Sequence, residues 1–312
     1  MHTHHHPHTV STEQMIGRFG WSILLTGVFA AGEAAAGWWY NSLALLADAG
    51  HNFADGAALA VSWYALRMSR RASSHHKTFG YHRASILAAL INAVSLIGIA
   101  LTIFYEGIRR LLQPEPVNGG AMIGVACAAV VVNLLIVVWL RHGGSKDINV
   151  RSAVLHMFGD MLFSVGVVVA GFVVLYTGWL QADALISLFI GLFIMVSSWG
   201  LLKESIHILM EGTPVGLDVR NLVSTIETVP GVVGVHDLHV WTISSGLPML
   251  TAHIVVENQP LSNSADIIDT VTHRLQDDFG IYHTTFQTEC MACASEHLFC
   301  TLDPDRVHTH SH

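Results

Sequence analysis

The sequence predicts an α-helical membrane protein with six transmembrane helices that ends in a small α+β domain of αββαβ order, ferredoxin-like or metallochaperone-like. Three observations predict it. Of 312 residues, 52% are hydrophobic and only 12% charged, and the mean hydropathy is +0.49, a balance foreign to an ordinary soluble chain. Apolar runs of the roughly 20 residues needed to cross a hydrocarbon core occur at 18–39, 43–66, 84–106, 121–140, 152–176 and 180–202. After Lys203 the runs shorten and the chain turns acidic, with 14 Asp and Glu from 203 to 306 against Lys203, Arg220, Arg274 and Arg306.

The first 17 residues are polar and histidine-rich, without the basic start and short apolar core of a signal peptide, so the first span is expected to be retained. Basic residues between spans set the orientation, because Lys and Arg collect in short cytoplasmic loops. One side carries Arg18, Arg67, Arg70, Arg71, Lys77, Arg83, Arg141, Lys146, Arg151 and Lys203, and the other only Arg109 and Arg110. Both termini are therefore expected in the cytoplasm. The connections 40–42 and 177–179 are so short that spans one and two, and spans five and six, should be antiparallel neighbours. The acidic part reads as a helix near 218–228, a strand at 235–243, a turn at Ser245-Gly246, a strand at 249–257, a helix near 263–279 and a strand at 283–289. The expected domains are thus a tail at 1–17, a membrane domain at 18–206, a cytoplasmic domain at 207–289 and a Cys/His tail at 290–312. A unit as small as the αββαβ domain gains from having a sheet face or edge covered by a second copy, which predicts a homodimer in the lipid bilayer.

A net charge of -8 argues against a nucleic-acid partner, and four cysteines are too few for a disulfide scaffold. The 21 histidines outnumber the 15 Lys and Arg. Imidazole is the commonest metal ligand among side chains that titrate near neutrality, so the excess points to metal handling. Five histidines lie in the opening Met1-His-Thr-His-His-His-Pro-His, which also reads as an expression tag, and three more are His308, His310 and His312. Thirteen remain in the body of the chain.

Ionisable groups inside a membrane span are costly and mark function. Span two contains His51-Asn-Phe-Ala-Asp55 and span five His156-Met-Phe-Gly-Asp160, the same H-x-x-x-D pattern twice. Residues i and i+4 share one helix face, so each span presents an imidazole and a carboxylate to one point. Asp55 lies 12 residues from Arg67 and Asp160 nine from Arg151, or roughly 18 and 14 Å of helix, so both fall near mid-bilayer. A single pair could merely satisfy itself within its helix, but two at matched depth supply two nitrogens and two oxygens, a set suited to tetrahedral Zn²⁺. Glu33, Asp48, Asn92, Glu106, Asn133 and Asp183 read instead as structural, interfacial or supporting groups. Cys127 reads as a small buried apolar residue. H-E-x-x-H is absent, which argues against an intramembrane metalloprotease, and no enzyme activity is expected.

Ser42-Leu-Ala-Leu-Leu-Ala-Asp-Ala-Gly-His51-Asn-Phe-Ala-Asp55, Lys77-Thr-Phe-Gly-Tyr-His-Arg83, His156-Met-Phe-Gly-Asp160 and His236-Asp-Leu-His-Val-Trp241 together resemble the zinc-transporting branch of the cation diffusion facilitator family. The resemblance runs over about residues 18–289 and implies a homodimeric divalent-cation/proton antiporter that exports zinc from the cytoplasm, with Zn²⁺ as substrate and regulatory ligand and H⁺ as counter-ion. It places the transport site on His51, Asp55, His156 and Asp160, the four residues that spacing selects, and cytoplasmic ligands on His236, His253, His283 and Glu289. His239 is left to packing or hydrogen bonding. A bacterial inner (cell) membrane is the expected location.

Many relatives carry an acidic residue where Ser85 stands, and many animal members have a histidine-rich loop between spans four and five where this chain has only a short connection from Arg141 to Val150. His75 and His76 read either as a loop metal site or as part of a solvated basic loop. Cys290-Met-Ala-Cys293, followed by His297 and Cys300, reads either as a tail zinc site or as an unoccupied flexible tail. The alternative to transport is a membrane-anchored metal sensor or metal-binding scaffold, which has no use for ligands inside the membrane.

Overall fold

The computed structural model describes residues 12–69, 73–141, 148–244, 246–290 and 298. These divide into two compact units, one drawn from 1–64 and 88–203 and the other from 65–87 and 204–312.

The first unit is built on long helices: α1 (Thr12–Trp39), α2 (Leu43–Ser69), α3 (Ala84–Leu112), α4 (Gly119–Arg141), α5 (Ile148–Thr177) and α6 (Gln181–Leu209). Each covers one of the apolar runs. Among the described residues, four helices are long and apolar enough to cross a membrane, within α3, α4, α5 and α6. Hydropathy in α2 is lowered by Asp48, His51, Asn52 and Asp55, which the helix turns inward or partly inward.

Small residues let these helices approach closely, as they do in membrane bundles. A Cβ on Gly119 of α4 would stand 2.7 Å from the carbonyl oxygen of Gly171 on α5. Large apolar side chains such as Leu134, Phe189 and Val196 face outward, whereas Ser42, Asp48, Asn52, Ser164, Asp183 and Ser187 are buried. Cys127, expected to be buried, is exposed: the outward face of α4 is apolar, so a small thiol suits it as well as the core does.

The α1–α2 connection is tight, with Ser42 N–H donating to the Gly37 carbonyl at 2.9 Å and Asn41 in the left-handed region at φ 56°. The start of α2 is capped from α6. Asp183 accepts from Ser42 Oγ at 2.7 Å, Leu43 N–H at 2.9 Å and Ala44 N–H at 3.1 Å, so amides that a helix N-terminus leaves open are satisfied. That fixes the end of the helix that carries the first H-x-x-x-D pattern.

In the second unit the elements run α7 (Val219–Glu227), β1 (Val232–Ser244), β2 (Leu247–Val256), α8 (Leu261–Phe279) and β3 (His283–Glu289). Asp218 caps α7 by accepting from Arg220 N–H at 2.9 Å, and α8 ends at Gly280 with φ 66°, a left-handed stop that glycine takes without strain. The sheet order is β1-β2-β3, with β1 and β2 antiparallel and β2 and β3 parallel, the crossover being α8. Leu222 and Ile226 of α7 and Val271 and Leu275 of α8 close over Leu238, Leu250 and Ile254. Of the expected Ser245-Gly246 turn, Gly246 has φ 75°, and Ser245 lies outside the described residues.

Candidate metal centres

One turn of helix separates His51 from Asp55 on α2 and His156 from Asp160 on α5. The two helices bring the pairs face to face. His51 Nε2 lies 3.5 Å from Asp55 Oδ2 and 3.6 Å from Asp160 Oδ1, while His156 Nε2 lies 3.1 Å from Asp55 Oδ2 and 3.7 Å from Asp160 Oδ2. Each imidazole thus meets one carboxylate from its own helix and one from the other, and the four groups close a ring.

Ligand atoms about 2.0–2.2 Å from a tetrahedral ion stand about 3.3–3.6 Å apart, and the observed edges bracket that range. Asp55 Oδ2 and Asp160 Oδ2 are buried and make no hydrogen bond of good geometry, an arrangement that costs free energy unless something charged occupies the ring. The site is lopsided. The side chains of His51 and Asp160 are 9% and 3% exposed, against 25% for Asp55 and 46% for His156, so one edge of the ring is accessible and the other sealed. Phe163 forms part of the seal, its ring edge-on to His51 with centroids 6.1 Å apart.

A second cluster lies on the sheet of the other unit. His236 of β1 and His253 of β2 are register partners, and their rings meet edge to face at 5.0 Å. Glu289, at the end of β3, reaches both: Oε2 is 3.0 Å from His236 Nε2 and Oε1 is 2.9 Å from His253 Nδ1. One ligand atom from each of the three lies within 4.8 Å of the others. Burial pushes the Glu289 carboxyl up, but hydrogen bonds from His236 and Gln287 and the neighbouring His253 and His236 outweigh it and hold the group below its ordinary value.

His283 does not join them. It opens β3 opposite Met249, whereas His253 is opposite Gln287, and six residues of strand put it roughly 20 Å from Glu289. Its exposed ring stands edge-on to Phe79 instead, at 6.1 Å. The neighbour on the Glu289 face is Gln287, two residues back along the strand, which donates to Glu289 Oε1 at 2.9 Å. The period-two rule for strands held this signal, since Gln287 and Glu289 must share a face.

Asp237 was also absent from the expected set. It lies in a bulge between His236 and His239 with φ 48°, and its carboxylate stands 3.2 Å from His239 Nε2 and 3.5 Å from His253 Nε2. His239 is therefore hydrogen-bonded, as expected. An acidic residue beside a histidine ligand was visible in His236-Asp-Leu-His239, but only the bulge turns it towards the cluster.

His75 and His76 occupy an exposed turn closed by paired backbone hydrogen bonds between Ser74 and Lys77, both 3.0 Å. Cys290 is a free, exposed thiol. Cys293 lies outside the described residues, as do His297, Cys300 and the histidines of both ends.

Two family models match the chain. One is described as "Cation efflux transmembrane domain" and covers residues 21–210, and the other as "Cation efflux protein, cytoplasmic domain" and covers 214–290. Among curated proteins, the chain is 38% identical to a "Cadmium, cobalt and zinc/H(+)-K(+) antiporter" of Bacillus velezensis, over 100% of this chain and 99% of that protein. It is likewise 38% identical to "Zinc transporter ZitB" of Escherichia coli, over 99% of this chain and 98% of that one. With "Metal cation efflux system protein CzcD" of Cupriavidus metallidurans it shares 36% identity over 94% of this chain and 90% of the relative.

Proposed function

The chain belongs to the cation efflux family, the cation diffusion facilitators, in its zinc branch, and from that premise we propose that it exports Zn²⁺ from the cytoplasm in exchange for protons. The observation that carries this reading is the closed ring of His51, Asp55, His156 and Asp160. In this proposal those four residues are the transport ligands, set within six spans with both termini cytoplasmic in a bacterial inner membrane.

Imidazole must be neutral and carboxylate ionised to hold the metal, so protons and Zn²⁺ compete for the same groups. Zn²⁺ enters the ring from the cytosol and the helices rearrange. Protons from the far side then titrate the histidines and the ion leaves. The accessible Asp55–His156 edge supports a route in and out, and the sealed His51–Asp160 edge supports a rigid half against which that route opens.

The domains proposed are the tail 1–17, the membrane domain 18–206, the cytoplasmic domain 207–289 and the tail 290–312. His236, His253 and Glu289 are proposed to bind regulatory Zn²⁺, with Gln287 beside them, and a homodimer covers the small sheet. Names borne by the relatives, which include cadmium and cobalt beside zinc, support a substrate range wider than one ion.

Reconstitution into proteoliposomes with an imposed pH gradient tests the reading. Wild-type protein should accumulate Zn²⁺ against its gradient and Asp55→Ala should not. Full gradient-driven flux in Asp55→Ala removes the ring from the mechanism, and Zn²⁺ binding without flux in the wild type favours the sensor or scaffold.

A further inference from the structure

The ring of His51, Asp55, His156 and Asp160 has an aromatic wall on one side. Phe163 follows Asp160 by about one turn of α5 and is 7% exposed. Its ring stands edge-on to His51, with centroids 6.1 Å apart and planes at 82°, which is contact distance for two aromatic rings. Phe193 of α6 braces it, with centroids 4.8 Å apart and planes at 64°. Phe193 itself is 48% exposed, and in a bilayer that exposure is to hydrocarbon rather than water.

The rest of this side is equally dry. Ala47 and Ala54, which flank His51 on α2, belong with Phe163 to one buried apolar cluster. Ser164, the next residue on α5, is already engaged, its Oγ lying 3.1 Å from both Asp48 Oδ2 and the Asp160 carbonyl oxygen. The side chains of His51 and Asp160 are accordingly almost closed to solvent, whereas those of Asp55 and His156 are not. Water that joins an ion in the ring must come past Asp55 and His156.

That asymmetry discriminates among ions. Zn²⁺ has no geometric preference of its own and is content with four ligands, and the ring offers four side chains whose successive nitrogen–oxygen distances run from 3.1 to 3.7 Å. Mn²⁺ favours six oxygen-rich ligands and Ni²⁺ a tetragonal set, and geometry rather than intrinsic affinity is what separates such ions in proteins. The further ligands they call for would be waters distributed around the ion, and a packed aromatic wall does not yield to admit one.

We infer that Phe163 is a specificity-determining residue of transport: its ring keeps water from the His51–Asp160 side of the ion, holds the site to four ligands and so disfavours Mn²⁺ and Ni²⁺ against Zn²⁺. The inference rests on the reading of the ring as the transport site. Phe163 supplies no ligand and acts through the space it fills beside His51, so it is a positioning residue.

The test uses Co²⁺ as a probe, because its visible absorption is intense with four ligands and weak with six. The purified full chain is loaded with Co²⁺, and the spectrum of Asp55→Ala is subtracted to remove ions bound outside the ring. Wild type should show intense bands. Phe163→Ala should show weak ones, and in proteoliposomes its Mn²⁺ flux relative to Zn²⁺ should rise by about 10-fold or more. Phe163→Val, a milder truncation, should move both readouts in the same direction, and Phe163→Leu, which refills most of the space, should restore both. Bands and flux ratio equal to wild type in Phe163→Ala and Phe163→Val overturn the inference. So does loss of Co²⁺ and Zn²⁺ binding in all three variants, which makes Phe163 a support of the fold. A wild-type protein that moves no Zn²⁺ overturns the transport reading, and the Co²⁺ spectra, which require no flux, then decide whether Phe163 sets the ligand number.

Discussion

The ring in the membrane and the cluster on the sheet use the same ligand types but are assembled differently. In the membrane, two copies of one local pattern each deliver a histidine and an aspartate from successive turns of a helix, so only two helices must meet. On the sheet, His236, His253 and Glu289 come from three strands, and their meeting depends on register. The first site has four side chains whose successive nitrogen–oxygen distances run from 3.1 to 3.7 Å. The second has three, with Gln287 and Asp237 at its margin. Under the proposed reading, a transport site benefits from a complete set with no spare partner, while a regulatory site can leave a position open.

The largest effect expected from this contrast is on transport. Asp160→Ala removes the most buried side chain of the ring and should cut gradient-driven Zn²⁺ flux by about 100-fold or more, beyond the 10–100-fold typical of losing a mere hydrogen-bonded support around a metal. Vesicle uptake assays measure it, and near-normal flux would erase the distinction between the two sites.

His51→Asp probes selectivity at the same ring. Exchanging nitrogen for oxygen favours harder ions, so competition among divalent metals in the flux assay should narrow the advantage of Zn²⁺ over Mn²⁺.

On the sheet, Glu289→Ala should weaken Zn²⁺ binding by about 10-fold or more while changing flux at saturating Zn²⁺ far less than Asp160→Ala does. His283→Ala should leave that affinity unchanged. Calorimetry on the full chain compares the two, and equal losses would contradict the placement of His283 at the far end of β3.

The smallest effect is on stability. Because Glu289 is held below its ordinary value of about 4.5, its contribution to the metal-free fold is complete above that pH and is lost as pH falls through the depressed value. The thermal midpoint of the cytoplasmic-domain transition should therefore fall in that acid window, and by less in Glu289→Gln.

The meeting of His51, Asp55, His156 and Asp160 was legible because helical spacing is local: i and i+4 share a face whatever the neighbours do, and a repeated motif names its own partner. The order α7-β1-β2-α8-β3 was legible in the same way, from alternation and turn residues. The cluster on the sheet was legible only in part. His236, His253 and Glu289 stood in the expected set, but His283 stood there too, because a histidine at a strand start looks the same in sequence whichever end of the strand the metal occupies.

What the sequence by itself determined is therefore the apolar runs, the two H-x-x-x-D faces and the elements of the acidic domain, all governed by interactions within a few residues. Tertiary structure alone decided three further things. Parallel pairing of β3 with β2 put Gln287 rather than His283 opposite His253. The bulge at Asp237 turned a carboxylate towards His253. Burial left both carboxylate oxygens of Glu33 and Oδ1 of Asp48 without hydrogen-bond partners among the described residues. Each depends on which distant segments touch, and a side chain's spacing along its own element carries no information about what another element brings to meet it.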